Sequence, residues 1–311
     1  MSSGRALCAT LIGIALATAG CEADDAGTAS GGGGEGGGGV TGGGGAGGGA
    51  LGPPTIGGLV IEEVFYAGSP GLMAHTFADQ FIDIRNDSDG LVFADGLLVG
   101  DAYGAAGEIN PGQPVSPFAD DAEHVYLGNL FRVPGDGDDV PLLPGETLTI
   151  AHDGTNHQPD SILDLSGADF EAYIESSGND DDWPTVDNLE VVHFTGGYDW
   201  LMPVFGPGVV IARMDATTIE LVEHPDFPGE KLVKIPVSAV VDGVEALMDS
   251  RSSAYKRLPA GVDASFAFVS DTYTGESIAR RRGVEGSIPL LLDSGSSAAD
   301  FDLVAAPRPG E

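Results

Sequence analysis

Basic side chains are scarce in this chain: 13 Lys and Arg stand against 48 Asp and Glu, a formal net charge of −35 over 311 residues. Affinity for a polyphosphate comes mainly from Lys and Arg displacing counterions, so nucleic acid is excluded as a partner. Cysteine is limited to Cys8 and Cys21, too few for a disulfide scaffold. Long apolar runs are missing: Ala6 to Ala19 is about 14 residues, short of the roughly 20 that cross a bilayer as a helix. No G-X-Y period is present either, so the 49 glycines mark a low-complexity segment rather than collagen. At 42% the hydrophobic share is too high for a wholly disordered acidic chain.

The run from Ala6 to Ala19, preceded by Arg5, has the length of the apolar core of a secretory signal. It ends in Ala17-Thr18-Ala19-Gly20-Cys21. Small residues directly before a cysteine resemble a bacterial lipobox, although Thr18 stands where leucine is usual and Leu16 lies two places back. The resemblance implies a signal peptide over residues 1–20, cleavage before Cys21, and acylation of that thiol with fatty-acid (palmitate-type) chains. Each buried acyl CH₂ contributes about 0.8 kcal/mol, and two or more chains anchor stably where one does not. Cys8 would leave with the signal, so the mature chain would carry no free thiol. Glu22-Ala23-Asp24-Asp25 resembles the acidic export tag of surface-displayed lipoproteins. It is equally a piece of a very acidic chain, and both faces of the outer membrane stay open.

Residues 21–54 read as the lipidated cysteine followed by a flexible tether, mostly glycine from Ser30 to Pro54. The stretch satisfies G-x-G-x-x-G, but without a preceding strand or a following helix that spacing binds no dinucleotide. A glycine-rich coil of this length has a root-mean-square reach of roughly 30 Å. Residues 55–311 are long enough for one sizeable β domain. Gln80-Phe81-Ile82-Asp83-Ile84-Arg85 largely alternates polar with apolar, the period of a half-buried strand. Leu59–Ile61, Val64–Tyr66, Leu91–Phe93, Leu97–Val99, Thr147–Ala151, Leu189–Phe194, Val209–Ala212, Leu232–Val237 and Ala264–Val269 are further expected strands. Pro-Gly pairs such as Pro111-Gly112, Pro144-Gly145 and Pro207-Gly208 punctuate them as turns. Helix is expected only over Ala168–Glu175 and Val244–Asp249. No fixed repeat is present, and the pattern predicts an all-β sandwich.

Leu59-Val-Ile-Glu-Glu-Val-Phe-Tyr-Ala-Gly-Ser69, Asp79 to Asp89 and Asp95-Gly-Leu97 resemble the opening of lamin-tail-type domains, which are immunoglobulin-like sandwiches. Gly275-Glu-Ser-Ile-Ala-Arg-Arg-Arg282, Ala299-Asp300-Phe301 and Pro307-Arg-Pro-Gly310 resemble their close. Such domains are shorter than this body, so the resemblance implies long loop insertions and short helices in the middle. Phe131-Arg-Val-Pro-Gly-Asp-Gly137, Pro144-Gly-Glu146, Asn156-His157, Asp164 to Glu171 and Val186-Asp-Asn188 resemble an uncharacterised bacterial lipoprotein family carrying a domain-of-unknown-function label. That resemblance runs in order along most of residues 59–306 and implies a cell-surface lipoprotein accompanying an outer-membrane receptor. It implies no activity.

Several clusters invite chemistry. Between Asn86 and Ala212 one basic residue, Arg132, faces 24 Asp and Glu, a surface for cations or a basic partner, or simply a solvated one. Asp136, Asp138 and Asp139, and the run Asn179 to Asp182, are oxygen-rich loops able to take a structural calcium. They do not form an EF-hand, since the twelfth position from Asp136 is Thr147. His152 and His157, with Asp160 and Asp164, could hold a transition metal, though their spacing fits neither HExxH nor a zinc finger. The other reading has Asn156 and His157 bonding backbone to fix a loop. Gly275-Glu-Ser-Ile-Ala279 lacks the last glycine of a nucleophile elbow and reads as strand. On a strand Arg280 and Arg282 would share a face, either pairing with the acidic body or docking an anionic partner. Trp183, Trp200, Tyr198 and Phe205 line a ligand groove or pack between sheets.

The sequence thus predicts a non-enzymatic, lipid-anchored envelope protein that binds at the cell surface, beside an outer-membrane receptor or another envelope protein. Two alternatives remain: a metal-assisted hydrolase using the His152–Asp164 region, and a purely structural envelope component. Mass spectrometry of protein extracted from native membranes should show a chain beginning at acylated Cys21. An unmodified amino terminus without fatty acid would refute the anchor.

Overall fold

Apolar side chains line both faces of most strands, so several read as nearly continuous hydrophobic runs rather than strict alternations. The computed structural model describes residues 58–310, apart from 71–76, 110–111, 159, 179, 197–199, 201 and 286–287. The expected signal peptide, Cys21 and tether lie outside the described residues, as do Asn179 and Tyr198. Among the described residues the strands are β1 (Leu59–Phe65), β2 (Phe81–Asn86), β3 (Val92–Phe93), β4 (Leu98–Ala102), β5 (His124–Arg132) and β6 (Pro141–Leu142). They continue as β7 (Thr147–Ala151), β8 (Phe170–Glu171), β9 (Asp187–Asn188), β10 (Glu190–His193), β11 (Gly208–Ala212) and β12 (Glu220–Glu223). The last six are β13 (Lys231–Pro236), β14 (Val240–Glu245), β15 (Ser277–Arg280), β16 (Arg282–Glu285), β17 (Ile288–Leu291) and β18 (Phe301–Val304). One short helix, α1 (Ser297–Asp300), precedes β18. No described helix is long and apolar enough to cross a membrane.

The strands form an all-β sandwich. One sheet has the order β18-β15-β1-β2-β7-β8-β9, antiparallel except for the parallel pairs β7–β8 and β8–β9. The other runs β12-β13-β5-β4-β11-β14, with β10 also paired to β5. Between the sheets lie Leu59, Ile61, Val64, Ile84 and Ile150 from the first, and Val99, Phe131, Val209, Ile211 and Val244 from the second. Consecutive Glu62 and Glu63 would break this inward pattern, but the pairing of β1 with β2 shifts register between Ile61 and Glu63. The bulge turns both Ile61 and Val64 to the core. The outer faces are covered too. Leu127, Val210, Val233 and Ile235 pack with Leu258 on the second sheet, while Phe65 and Phe81 lie under Leu163 and Leu165 on the first.

Four expectations are corrected. Ala168–Glu175 is not helical: it holds β8, whose backbone joins β7 and β9. Val244–Asp249 begins as the end of β14, because pairing with β11 overrides its weak helical pattern. Ala264–Val269 makes only an isolated bridge at Ala267, since Lys256 Nζ draws off the carbonyls of Asp263 and Ser265. The run Arg280–Arg282 is not one strand face either, for β15 ends at Arg280 and β16 begins at Arg282.

Buried charge joins the two sheets. Arg280 closes β15 and donates from Nη2 to Asp242 Oδ2 of β14 at 2.5 Å and from Nε to the Ile61 carbonyl of β1 at 2.9 Å. Ile61 N–H in turn donates to Asp242 Oδ2 at 2.7 Å. The guanidinium also lies 4.7 Å from the Phe301 ring centroid. Burial pushes the Asp242 carboxyl up to about 6, although Arg280 pulls it down.

On the first sheet, Asp83 sits opposite Glu63 and beside Thr149. Two donors seal it: Gly310 N–H donates to Asp83 Oδ2 at 2.8 Å and Thr149 Oγ1 to Oδ1 at 2.7 Å. Burial raises the Asp83 carboxyl to about 8 from an ordinary value of 3.8. Between those two pH values the native chain keeps a proton that the unfolded chain has released, so stability falls as pH rises through that window. Thermal unfolding should show this decline from pH 5 to pH 8. Asp83→Asn, whose amide oxygen can accept from Gly310 N–H while its NH2 donates to the Thr149 hydroxyl, carries no charge and should flatten it and unfold higher than wild type at pH 8.

Candidate functional site

A glycine in mid-strand marks either a bulge or the close approach of another group. Gly128, within β5, is such a position. A Cβ there would stand 3.5 Å from Asp101 Oδ2 and 3.9 Å from Thr195 Oγ1. With no side chain, the position instead opens on the floor of a cleft of about 710 Å³. Asp101 reaches this floor from β4, where the pairing with β5 shifts register between Asp101 and Ala102. It is 9% exposed, and burial raises its carboxyl above the ordinary range. Its Oδ1 accepts from Asn129 Nδ2 at 3.0 Å and from Trp200 Nε1 at 2.8 Å. Behind it Trp200 packs on Phe131 with centroids 4.7 Å apart.

The walls are apolar and include Phe205, Ile109, Val115 and Phe227, the last 57% exposed. At the rim the Tyr103 hydroxyl donates to Asp226 Oδ2. Tyr103 meets Phe118 and His224 edge-on, and Phe118 stacks on Tyr126 at 3.8 Å. His224 is buried and its Nδ1 accepts from both Asp226 N–H and Phe227 N–H at 3.1 Å. In that state the ring proton sits on Nε2. One imidazole therefore fixes the turn that presents Asp226 and Phe227.

A second buried pair sets the cleft's frame. Arg257 Nε donates to Glu245 Oε1 at 2.8 Å, with both side chains at most 1% exposed. Three of the four remaining guanidinium protons go to the carbonyls of Gly104, Gly206 and Ala246. Gly206 has φ +128°, and a Cβ there would collide with the Ala246 carbonyl oxygen at 2.6 Å. The loops before and after the cleft are thus gathered onto one side chain.

The metal candidates serve other ends. Asp139 Oδ2 accepts from Asp136 N–H, and Asp95 accepts from Gly137, Asp139 and Val140 N–H, so this loop folds around a carboxylate. Asp138 is exposed at its tip. His157 Nε2 bonds the Asp153 carbonyl at 3.1 Å, while buried His152 places Nδ1 3.6 Å from Asp153 Oδ1. Asp164 turns to Ser166. Among the described residues no group of three or more His, Cys, Asp or Glu is placed to hold a metal.

Nearby, Glu171 accepts from Gly154 and Trp183 N–H at 2.8 Å each, and burial raises it to about 6. Trp183 stands apart from the cleft lining, and Trp200 lies behind its floor rather than in it. Arg280 is buried, and Arg282 pairs with Glu62 at 2.7 Å. Of the aromatic candidates the cleft exposes Phe205.

Replacing Arg257 with methionine strands Glu245 in the interior, a change that costs about 3–5 kcal/mol. Urea unfolding should show a loss of that order. Glu245→Gln, whose amide oxygen can still accept from Arg257 and Leu258 N–H but whose NH2 then opposes the Arg257 guanidinium, should lose at least as much.

Residues 143–308 match the profile described as "Protein of unknown function (DUF4876)". That span includes Thr195, Phe205 and Asp226 of the cleft but not Asp101 or Gly128. A crystal structure of a DUF4876 family protein from Bacteroides thetaiotaomicron at 2.50 Å resolution is similar, with a TM-score of 0.67 and 26% identity. The alignment covers 79% of this chain and 71% of that one. No curated protein matches the chain. With more than half of its length matched by the family profile, the chain belongs to the DUF4876 family.

Proposed function

We propose that this protein is a lipid-anchored recognition module of the bacterial envelope and that the β4–β5 cleft is where it binds. The observation that carries the reading is the cleft itself, with apolar walls, a few convergent polar groups on its floor and a volume of about 710 Å³. Among the described residues its lining holds no cysteine, histidine or lysine to form or activate a nucleophile. That favours binding over catalysis. The His152–Asp164 region supports hydrolysis less well, because His157 and Asp164 are engaged by their own loop.

The anchor and tether supply the mechanism. Acyl chains at Cys21 hold the domain at the membrane, and a glycine-rich coil gives reach without fixing orientation, which raises the effective concentration of the cleft beside its neighbours. A lamin-tail-like ancestry accords with the sandwich and its loop insertions. The partner this reading favours is an outer-membrane receptor or another envelope protein.

A pull-down from detergent-solubilised native membranes tests it. Wild type should recover a specific envelope protein, and Cys21→Ala should recover far less of it from intact cells. Recovery of no specific partner by either form would overturn the accessory role.

A further inference from the structure

Several polar atoms left open in the cleft are acceptors. Asp101 Oδ1 takes two donors, while Oδ2 accepts from no other described residue and faces the gap above Gly128. Thr195 Oγ1 gives its proton to Asn129 Oδ1 at 3.3 Å, so its lone pairs remain available on the same floor. Gln113 Oε1, also in the lining, is buried with no donor. At the rim Asp226 uses Oδ2 for Tyr103 and leaves Oδ1 without a described partner. No lining side chain is basic among the described residues. The nearest buried cation, Arg257, is committed to Glu245 and three carbonyls.

A site with open acceptors, two carboxylates and aromatic walls suits a ligand that brings donors and positive charge on an apolar stem. Building on the cleft as the binding site, we infer that it takes a lysine side chain from an extended segment of a partner protein. The ammonium sits at the Gly128 floor and the stem lies along Phe205 and Val115. Lysine fits better than arginine because Asp101 offers one oxygen, which cannot meet a guanidinium fork but can meet a point donor. The chain's net charge of −35 draws such a segment in. Asp226 and Phe227 at the mouth contribute a carboxylate and an aromatic face to the approaching cation.

Trp200 gives a direct readout, because its indole N–H donates to Asp101. The probe is the blocked peptide acetyl-Ala-Ala-Lys-Ala-Ala-amide, titrated into full-length protein while the Trp200 indole resonance is followed by NMR. The comparison peptide carries norleucine, which keeps the stem and loses the ammonium. The lysine peptide should bind at least tenfold more tightly, and the difference should shrink as salt is added. Gly128→Val, which puts carbon where the ammonium would sit, should weaken lysine-peptide binding at least tenfold while the unfolding midpoint stays near wild type. Asp226→Asn should weaken it several-fold.

Equal binding of the two peptides, an unmoved indole signal, or full affinity in Gly128→Val would overturn the inference. So would maltotriose or free butylamine binding as tightly as the lysine peptide. The pull-down above can succeed through another surface while these titrations fail, so the two ideas fall separately.

Discussion

A guanidinium without access to water organises the cleft end of this sandwich. Arg257 meets Glu245 at the end of β14 and spends three more protons on carbonyls from segments distant in sequence. Glu245 answers by accepting the N–H groups of Arg257 and Leu258 on its other oxygen, so both carboxylate oxygens are engaged. Half of such an arrangement would be worse than none, since a buried charge is tolerable only when paired and bonded. Here the network is closed, and the loop at Gly104 that borders the cleft has little freedom to drift.

The same economy explains a composition so rich in carboxylates and so poor in bases. Many Asp and Glu side chains here accept backbone N–H groups instead of forming ion pairs. Asp95 gathers Gly137, Asp139 and Val140, while Asp263 takes Glu245, Ser265 and Ser297. Glu171 holds Gly154 and Trp183. Irregular loops expose donors that no ladder satisfies, and a short acidic side chain satisfies two or three at once. Acidity in this protein is therefore partly architectural, a fact that net charge alone conceals.

Much of the framework was legible from local pattern. Thr147–Ala151 and the Gln80–Arg85 alternation correspond to β7 and β2 because each has neighbours that reward its period. β5, at nine residues, carries no clear strand signal because Gly128-Asn129 interrupts its alternation, yet that interruption is the mark of the cleft. The site itself draws on Asp101, Thr195, Phe205 and Asp226, which are far apart in the chain and share no spacing rule. Only Phe205 stood out, as an aromatic candidate. Asp101 in Leu-Val-Gly-Asp-Ala looks like any strand-end aspartate until Trp200 and Asn129 are folded onto it. The arginine triplet misled for a related reason: alternation holds within one strand, and these three residues straddle two.

Gly310 closes a polar gap over Asp83. This segment is thus a plug in the first sheet. A proteolytic nick that let it lift away would open to water a carboxyl group otherwise shut off, so one cut here would loosen strands that the cut itself never touches.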